Sequence, residues 1–241
     1  KAKGRNRTKM LIPDSAHGTN PASAVLAGFE IVNVPSRDGM VDPAALEEAM
    51  AKYPDQVAGL MMTNPNTLGL LELHLPRIVE VLRREDALLY YDGANMNAIL
   101  GKMRVGDVGF DVVHLNVHKT LGTPHGGGGP GAGAVGCQAF LAPYLPRSVL
   151  QEGPGRKQVR SFTGNFLVVV RALAYLMTLG REGIPEAARN AVLNANYLMQ
   201  KIKGTFQPAF DRICMHEFVL DLSEFQKETG VSALDVAKSL M

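Results

Sequence analysis

Residues 111–131 read DVVHLNVHKTLGTPHGGGGPG. Val112, Val113, Leu115 and Val117 alternate with polar residues, and that period of two predicts a strand over 111–117. The strand runs out at His118-Lys119-Thr120, and the stretch that follows, 126–133, is too rich in glycine for regular structure. A lysine at the end of a buried strand is a costly place for a charge. Desolvation there disfavours the ammonium and favours an amine that can act as a nucleophile. Schiff-base chemistry with a carbonyl cofactor is the leading explanation for Lys119; a surface lysine beside a glycine-rich loop is the alternative.

Working upstream, ALLYY (87–91) predicts a buried strand that ends at Asp92, and VAGLMMT (57–63) another that ends in the turn NPNTLG (64–69). KMLIP (9–13) and FEIVNV (29–34) predict two more strands. Helices are predicted between them. One starts at Pro21 with Asn20 as its cap and runs through Ala27, with Gly28 closing it. A second covers 41–52, capped by Asp42 before Pro43, and an amphipathic third covers 75–84. Alternating strands and helices, with polar residues gathered at strand ends, describe an α/β sheet whose ligands bind beyond the carboxyl ends of its strands. Downstream, 134–136 is a short strand, 162–178 and 184–203 are long helices, 216–222 (HEFVLDL) is a strand, and a helix begins at Ser232. A second domain is expected from about 208 and to be cut short at Met241.

Composition narrows the class. The 241 residues are 46% hydrophobic, ample for a core, and carry 25 basic against 23 acidic side chains. A formal charge of +2 gives no electrostatic case for nucleic acid or an anionic membrane. The basic start (Lys1, Lys3, Arg5, Arg7, Lys9) reads as a solvated segment rather than a nucleic-acid arm. Cys137 and Cys214 lie far apart and outside any C-x-x-C, which fits a reducing compartment. No apolar run suits a membrane span or a signal peptide. The expectation is a soluble cytoplasmic protein, or a mitochondrial one in a eukaryote.

At the strand ends, the Asp92 carboxylate can hold a pyridine nitrogen protonated, which makes the ring an electron sink; a turn or cap aspartate is the alternative. If the strands before Asp92 and Lys119 are parallel neighbours, both residues reach one crevice. His17, in the polar turn after the first strand, can stack on a flat ring. Asn64 and Thr67 can hydrogen-bond a ring hydroxyl or a substrate carboxylate, or serve as turn residues. The glycine run suggests an anion nest, but Lys119-Thr120 precedes it, whereas a Walker loop places its lysine after the glycines. No G-x-G-x-x-G opens a helix here, so a dinucleotide site is not expected. His114, His118 and His125 suggest zinc, but a helical arrangement of His114 and His118 as ligands needs a helix where the alternation predicts a strand, so metal is a minor alternative.

Four segments together carry a resemblance: DSAHGTNPASA (14–24), MTNPNTLGL (62–70), LYYDGAN (89–95) and DVVHLNVHKTLGTPHGGGGPG (111–131). In this order they resemble glycine decarboxylase, the P-protein of the glycine cleavage system, in its catalytic half or subunit 2. The likeness continues through VRSFTGNF (159–166), AVLNANYL (191–198) and MHEFVLDL (215–222). It implies a fold-type I, pyridoxal-phosphate-dependent transferase-like large domain over 1–207, a mostly parallel sheet with flanking helices, and a truncated α+β C-terminal domain over 208–241. It implies that Lys119 anchors pyridoxal 5′-phosphate covalently and that Asp92 pairs with the ring nitrogen. Ala94 would lie beneath the ring, His17 would stack above it, and His118 would touch the phosphate or the ring. Thr19, Thr67 and Asn64 would be polar contacts. The implied reaction is decarboxylation of glycine, with transfer of the aminomethyl group to the lipoyl arm of the H-protein, for which His125 and the glycines shape the access. The other P-protein half or subunit would be a partner, in a dimer or heterotetramer. Residues 1–16 lack the phosphate-cradling turn that the family has before the equivalent of His17, so a fragment is expected. Another fold-type I decarboxylase or aminotransferase, or a non-catalytic scaffold, are the alternatives.

Overall fold

The alternation of strand and helix along the first half of the chain builds one twisted sheet. The computed structural model describes residues 6–123, 129–146 and 164–241. His125 and most of VRSFTGNF fall outside them. The elements run β1 (Lys9–Pro13), α1 (Thr19–Leu26), β2 (Glu30–Val34), a small hairpin of β3 (Ser36–Arg37) and β4 (Met40–Val41), α2 (Pro43–Lys52), β5 (Val57–Thr63), α3 (Leu75–Arg84), β6 (Leu88–Gly93), β7 (Val112–Asn116), α4 (Val117–Thr120) and β8 (Gly133–Cys137). They continue with α5 (Phe166–Ile202), β9 (Gln207–Pro208), β10 (Leu220–Asp221), α6 (Ser223–Thr229) and α7 (Ala233–Ser239). Among the described residues, six strands form the main sheet in the order β2-β1-β5-β6-β7-β8. All neighbours are parallel except β7 and β8, which are antiparallel.

Both faces of the sheet are covered, as continuous apolar strands such as β5 require. Leu60 and Met62 of β5 join Leu46 and Met50 of α2, Ile78 and Leu82 of α3, and Leu89 and Tyr91 of β6 in the larger core. Met61, pointing the other way, packs with Ile12 and with Ala24 of α1. Tyr91 meets Phe110 edge to face, with ring centroids 4.8 Å apart, and donates its hydroxyl to the Asn64 carbonyl. Asp42 caps α2 as expected, its side chain accepting from Ala44 N at 3.0 Å.

Several sequence expectations are corrected. Helix α1 begins at Thr19, with Gly18 in the capping position, and Asn20 is not its cap. The Asn20 side chain is instead buried and donates to Thr63 Oγ1 at 3.3 Å, a tertiary bond that local capping rules do not foresee. His118, Lys119 and Thr120 do not end a strand: the strand stops at Asn116 and they form the helical turn α4. The two long helices expected in the second half are both present within α5 and meet at the non-helical backbone of Gly180. Of the strand expected over 216–222, only Leu220–Asp221 pairs, antiparallel to Gln207–Pro208. The backbone before it is engaged elsewhere. Met215 N donates to Gly69 O at 2.7 Å, and Cys214 exchanges hydrogen bonds with the Asn196 side chain at 2.7 and 3.0 Å. At Gly69 a Cβ would lie 1.8 Å from the Glu217 carbonyl oxygen, so this close approach needs glycine. Among the described residues, no helix is long and apolar enough to cross a membrane.

Asp111 holds the β6–β7 end of the sheet. Its buried carboxylate takes both arms of the Arg83 guanidinium, at 2.8 and 2.9 Å, and accepts from Leu89 N at 2.8 Å. It thereby ties α3 and β6 to the entrance of β7. Arg83 is partly exposed, so the cost of losing the pair is that of charged hydrogen bonds rather than of a stranded buried cation. Asp111→Ala should lower unfolding free energy by about 2–3 kcal/mol, read from the urea midpoint at constant m-value. A change below about 0.5 kcal/mol would show that the clamp is ornamental.

Candidate active site

The parallel register sets the site. Thr63 on β5 stands opposite Asp92 on β6, and Asp92 stands opposite His114 on β7. Residues paired across neighbouring strands project to the same face, so hydroxyl, carboxylate and imidazole form one row with the carboxylate in the middle. Gly93 lets β6 and β7 approach there, since a Cβ would lie 2.3 Å from the His114 carbonyl oxygen.

A cleft of about 510 Å³ opens over this row. His17, Thr19, Asn20 and Ser23 line it from the β1–α1 side, Tyr90, Asp92 and Ala94 from β6 and its exit, and His114, Asn116, His118 and Lys119 from β7 and α4. It therefore brings together six of the residues singled out from sequence: Lys119, His17, Asp92, Ala94, His118 and Thr19. Asn64 and Thr67 do not line it. The Asn64 side chain is buried and accepts from Glu72 N at 3.0 Å, while Thr67 Oγ1 donates to Ser15 O at 3.2 Å, so Asn64 holds the chain leaving the turn and Thr67 ties the turn to the β1–α1 connection. Lys119 lines the cleft partly exposed on α4, not at a buried strand end. Thr120 accepts from Met96 N at 3.1 Å and so ties α4 to the β6 exit loop.

Asp92 is 3% exposed and well supplied with donors. Oδ1 accepts from Ala94 N at 3.0 Å and faces His114 Nδ1 at 3.3 Å; Oδ2 accepts from Thr63 Oγ1 at 3.0 Å. Thr63 Oγ1 also receives Asn20 Nδ2 at 3.3 Å and His17 N at 3.5 Å, which directs its own proton to Asp92. Burial pushes the Asp92 carboxyl up, but the hydrogen bonds of His114 and Thr63, the charge of His114 and the Asn20 amide outweigh burial and hold it below the ordinary aspartate value. Beside it, burial and then the Asp92 charge push the Tyr90 phenol up to about 12. His17 Nδ1 lies 2.7 Å from Thr19 Oγ1 and accepts from Thr19 N at 3.2 Å, which fixes the ring at the cleft wall. His118 Nδ1 sits 3.1 Å from Ala132 O and 3.3 Å from Ala132 N.

Sequence reasoning missed Thr63, Asn20, His114 and Asn116 as parts of this network. His114 was visible only as a possible metal ligand, and among the described residues no group of three acidic, histidine or cysteine side chains could hold a metal ion. The signal that finds Thr63 and His114 is the strand register, once β5, β6 and β7 are known to be neighbours.

Comparison with known proteins agrees with the segment likeness. Residues 187–241 match the family described as "Glycine dehydrogenase, C-terminal domain". A "Probable glycine dehydrogenase (decarboxylating) subunit 2" of Treponema denticola is 56% identical over 247 residues, which is 98% of this chain and 51% of that protein. Over nearly its whole length the chain is similar to glycine dehydrogenase (decarboxylating) subunit 2 proteins. It spans about half the length of the curated relatives it matches. Among solved structures, tryptophan decarboxylase of Catharanthus roseus, in complex with L-tryptophan, superposes with a TM-score of 0.70 at 18% identity, over 98% of this chain and 52% of that one. Oryza sativa TDC, solved with PLP and tryptamine, gives 0.67 at 20% identity over 87% and 47%. The fold is that of fold-type I pyridoxal-phosphate enzymes.

A carboxylate whose native value is depressed contributes stability that is complete above the unfolded value, near 3.9, and lost as pH falls through the native one. Thr63→Val removes one donor and raises the native value of Asp92. The variant should lose about 2 kcal/mol at neutral pH, and its acid unfolding should begin at higher pH than in the parent. Urea midpoints measured across the acid range check this; parallel curves would disprove the donor's role.

Proposed function

We propose that this chain carries the cofactor-binding part of a pyridoxal-phosphate-dependent glycine decarboxylase, which releases carbon dioxide and passes the aminomethyl group to the lipoyl arm of the H-protein. The observation that carries the reading is the placement of one amine, Lys119, and one buried carboxylate, Asp92, on the same cleft. The residues present fit the cofactor. A carboxylate kept ionised despite burial is what a protonated pyridine nitrogen needs as a partner. Ala94, 9% exposed at the β6 exit, presents a small side chain against which a flat ring can lie.

When bound, the cofactor supplies the electron sink for the pair of electrons that glycine keeps as its carboxylate leaves. The protein's own groups do the rest. Lys119 Nζ would hold the cofactor through its carbonyl carbon and, when released from it, would serve as an acid or base at the cleft. Asp92 holds a proton on the ring nitrogen. His17 would cover one ring face and Ala94 the other, with Thr19 orienting His17. The transferred carbon forms a bond to one lipoyl sulfur as the S–S bond breaks, and the other sulfur leaves as a thiolate that takes up a proton. Glycine, the H-protein and the other subunit or half are partners in this reading. Residues 208–241 begin a smaller domain in it, and the setting is cytoplasmic.

Borohydride reduction of the full-length protein, assembled with its partner subunit and loaded with pyridoxal phosphate, should trap the cofactor on the peptide that holds Lys119. Lys119→Ala should abolish the adduct and lower lipoyl-dependent carbon dioxide release by at least about 10³-fold, a loss of about 4 kcal/mol in the barrier. Full activity in the Lys119→Ala assembly would overturn the assignment. Release of a free amine without lipoyl protein would point instead to another fold-type I decarboxylase.

A further inference from the structure

The imidazole of His114 has two partners, and they fix what it can do. Nε2 lies 2.8 Å from Asn116 Oδ1, and Nδ1 lies 3.3 Å from Asp92 Oδ1. With Asn116 Oδ1 facing the ring, Nε2 must carry a proton. Nδ1 faces a carboxylate and must carry one too, so the ring is an imidazolium. With the Asn116 carboxamide turned over, its NH₂ donates to Nε2 and the ring is neutral, with its single proton on Nδ1. Both arrangements place N–H on the Asp92 side. The choice of amide orientation changes the charge of the ring and leaves the donor in place.

The register leaves little freedom in this arrangement. His114 and Asn116 lie two residues apart on β7 and share a face, so the carboxamide reaches the far nitrogen of the ring while the near one meets the neighbouring strand. Oδ1 of Asp92 then has two donors, Ala94 N and His114 Nδ1, while Oδ2 has the Thr63 hydroxyl. The plane of the carboxylate is set from both sides.

We propose that His114, held by Asn116, is a positioning residue of the reaction: through Nδ1–H on Asp92 Oδ1 it fixes and charges the carboxylate that keeps the cofactor's ring nitrogen protonated. This rests on the cofactor reading above. The lowered value of Asp92, for which the hydrogen bond of His114 is the largest favourable cause, agrees with it. Among the described residues, the other titratable groups facing this cleft are His17 from the β1–α1 turn, Tyr90 from β6, and His118 and Lys119 from α4. On β8, the residue opposite His114 is Val135, which cannot titrate.

The test compares the parent, His114→Phe, His114→Asn and Asn116→Leu in the full-length protein with its partner subunit. Ring-nitrogen protonation is read by the ¹⁵N shift of labelled pyridoxal phosphate across pH, and acid unfolding is followed in the cofactor-free protein. In His114→Phe the ring nitrogen should lose its proton at a pH at least about one unit lower than in the parent, with acid unfolding beginning at higher pH. His114→Asn, which can return an N–H to the same place, should recover much of both shifts, and Asn116→Leu should show a smaller shift in the same direction. Identical ¹⁵N profiles in parent and His114→Phe would overturn the proposal, as would a His114→Asn no better than His114→Phe. Should His114→Phe fail to assemble, Asn116→Leu decides, and a profile matching the parent overturns the role. If the parent itself binds no pyridoxal phosphate, the cofactor reading falls, and unaltered acid unfolding of the cofactor-free His114→Phe protein would remove the His114–Asp92 coupling as well.

Discussion

The parallel pairing of β5, β6 and β7 is the constraint on which the site depends. Each strand carries a polar residue at or near its carboxyl end, and the register aligns Thr63, Asp92 and His114 in one row. A shift of one residue in any of the three would turn its polar side chain to the opposite face, into the core that holds Leu60, Leu89 and Tyr91. The hydrophobic pattern that secures the core therefore also secures the chemistry. Asp111 reinforces the same register from the other end of β7, where it bridges Arg83 and the Leu89 amide. The core and the site are two results of one alignment.

Much of this architecture is legible in the amino-acid sequence. Continuous apolar runs mark β5 and β6, Asp42 before Pro43 marks α2, and the polar residues at strand ends point to the crevice where Asp92 and Lys119 meet. What stays hidden depends on contacts between segments distant in sequence. Asn20 looks like a helix cap, because Asn before Pro is a strong local signal, yet a buried bond to Thr63 wins. His118-Lys119-Thr120 follows an alternating strand, and only the tie from Met96 to Thr120 shows why it closes into a helical turn. HEFVLDL alternates well enough for a strand. The close approach of Gly69 to the Glu217 carbonyl and the packing of Phe218 against Ala195 and Met199 occupy its first half instead, just after Asn196 has bound the Cys214 backbone.

The functional residues divide the same way. Lys119, Asp92 and His17 stand in segments with a distinctive composition, so a reader can suspect them singly. Thr63 closes an apolar run, and His114 alternates with valines and leucine; neither departs from an ordinary strand pattern. Their importance is relational, since each matters because Asp92 lies beside it. Asn64 and Thr67 are the converse case: they sit in a conspicuous turn and spend their polar groups on backbone outside the cleft, at Glu72 and at Ser15.

Holding a charged carboxylate at 3% exposure has an energetic logic that the geometry makes explicit. An isolated buried charge would neutralise itself by taking up a proton, and a protonated Asp92 could not hold a second proton on a ring nitrogen. Donors must therefore be in place before any ligand arrives. Here they come from the backbone at Ala94, from β5 at Thr63 and from β7 at His114, all parts of or next to the rigid sheet. Donors on a mobile loop would have to be ordered as the ligand bound, at a cost in affinity and in rate. Fixing them to three neighbouring strands places that cost in folding, where the burial of β5 and β6 already offsets it. The same argument explains why the nucleophilic amine is treated differently. In the proposed reaction Lys119 would let go of one partner and take up another, and it sits on a short helical turn, partly exposed, beside the sheet rather than within it.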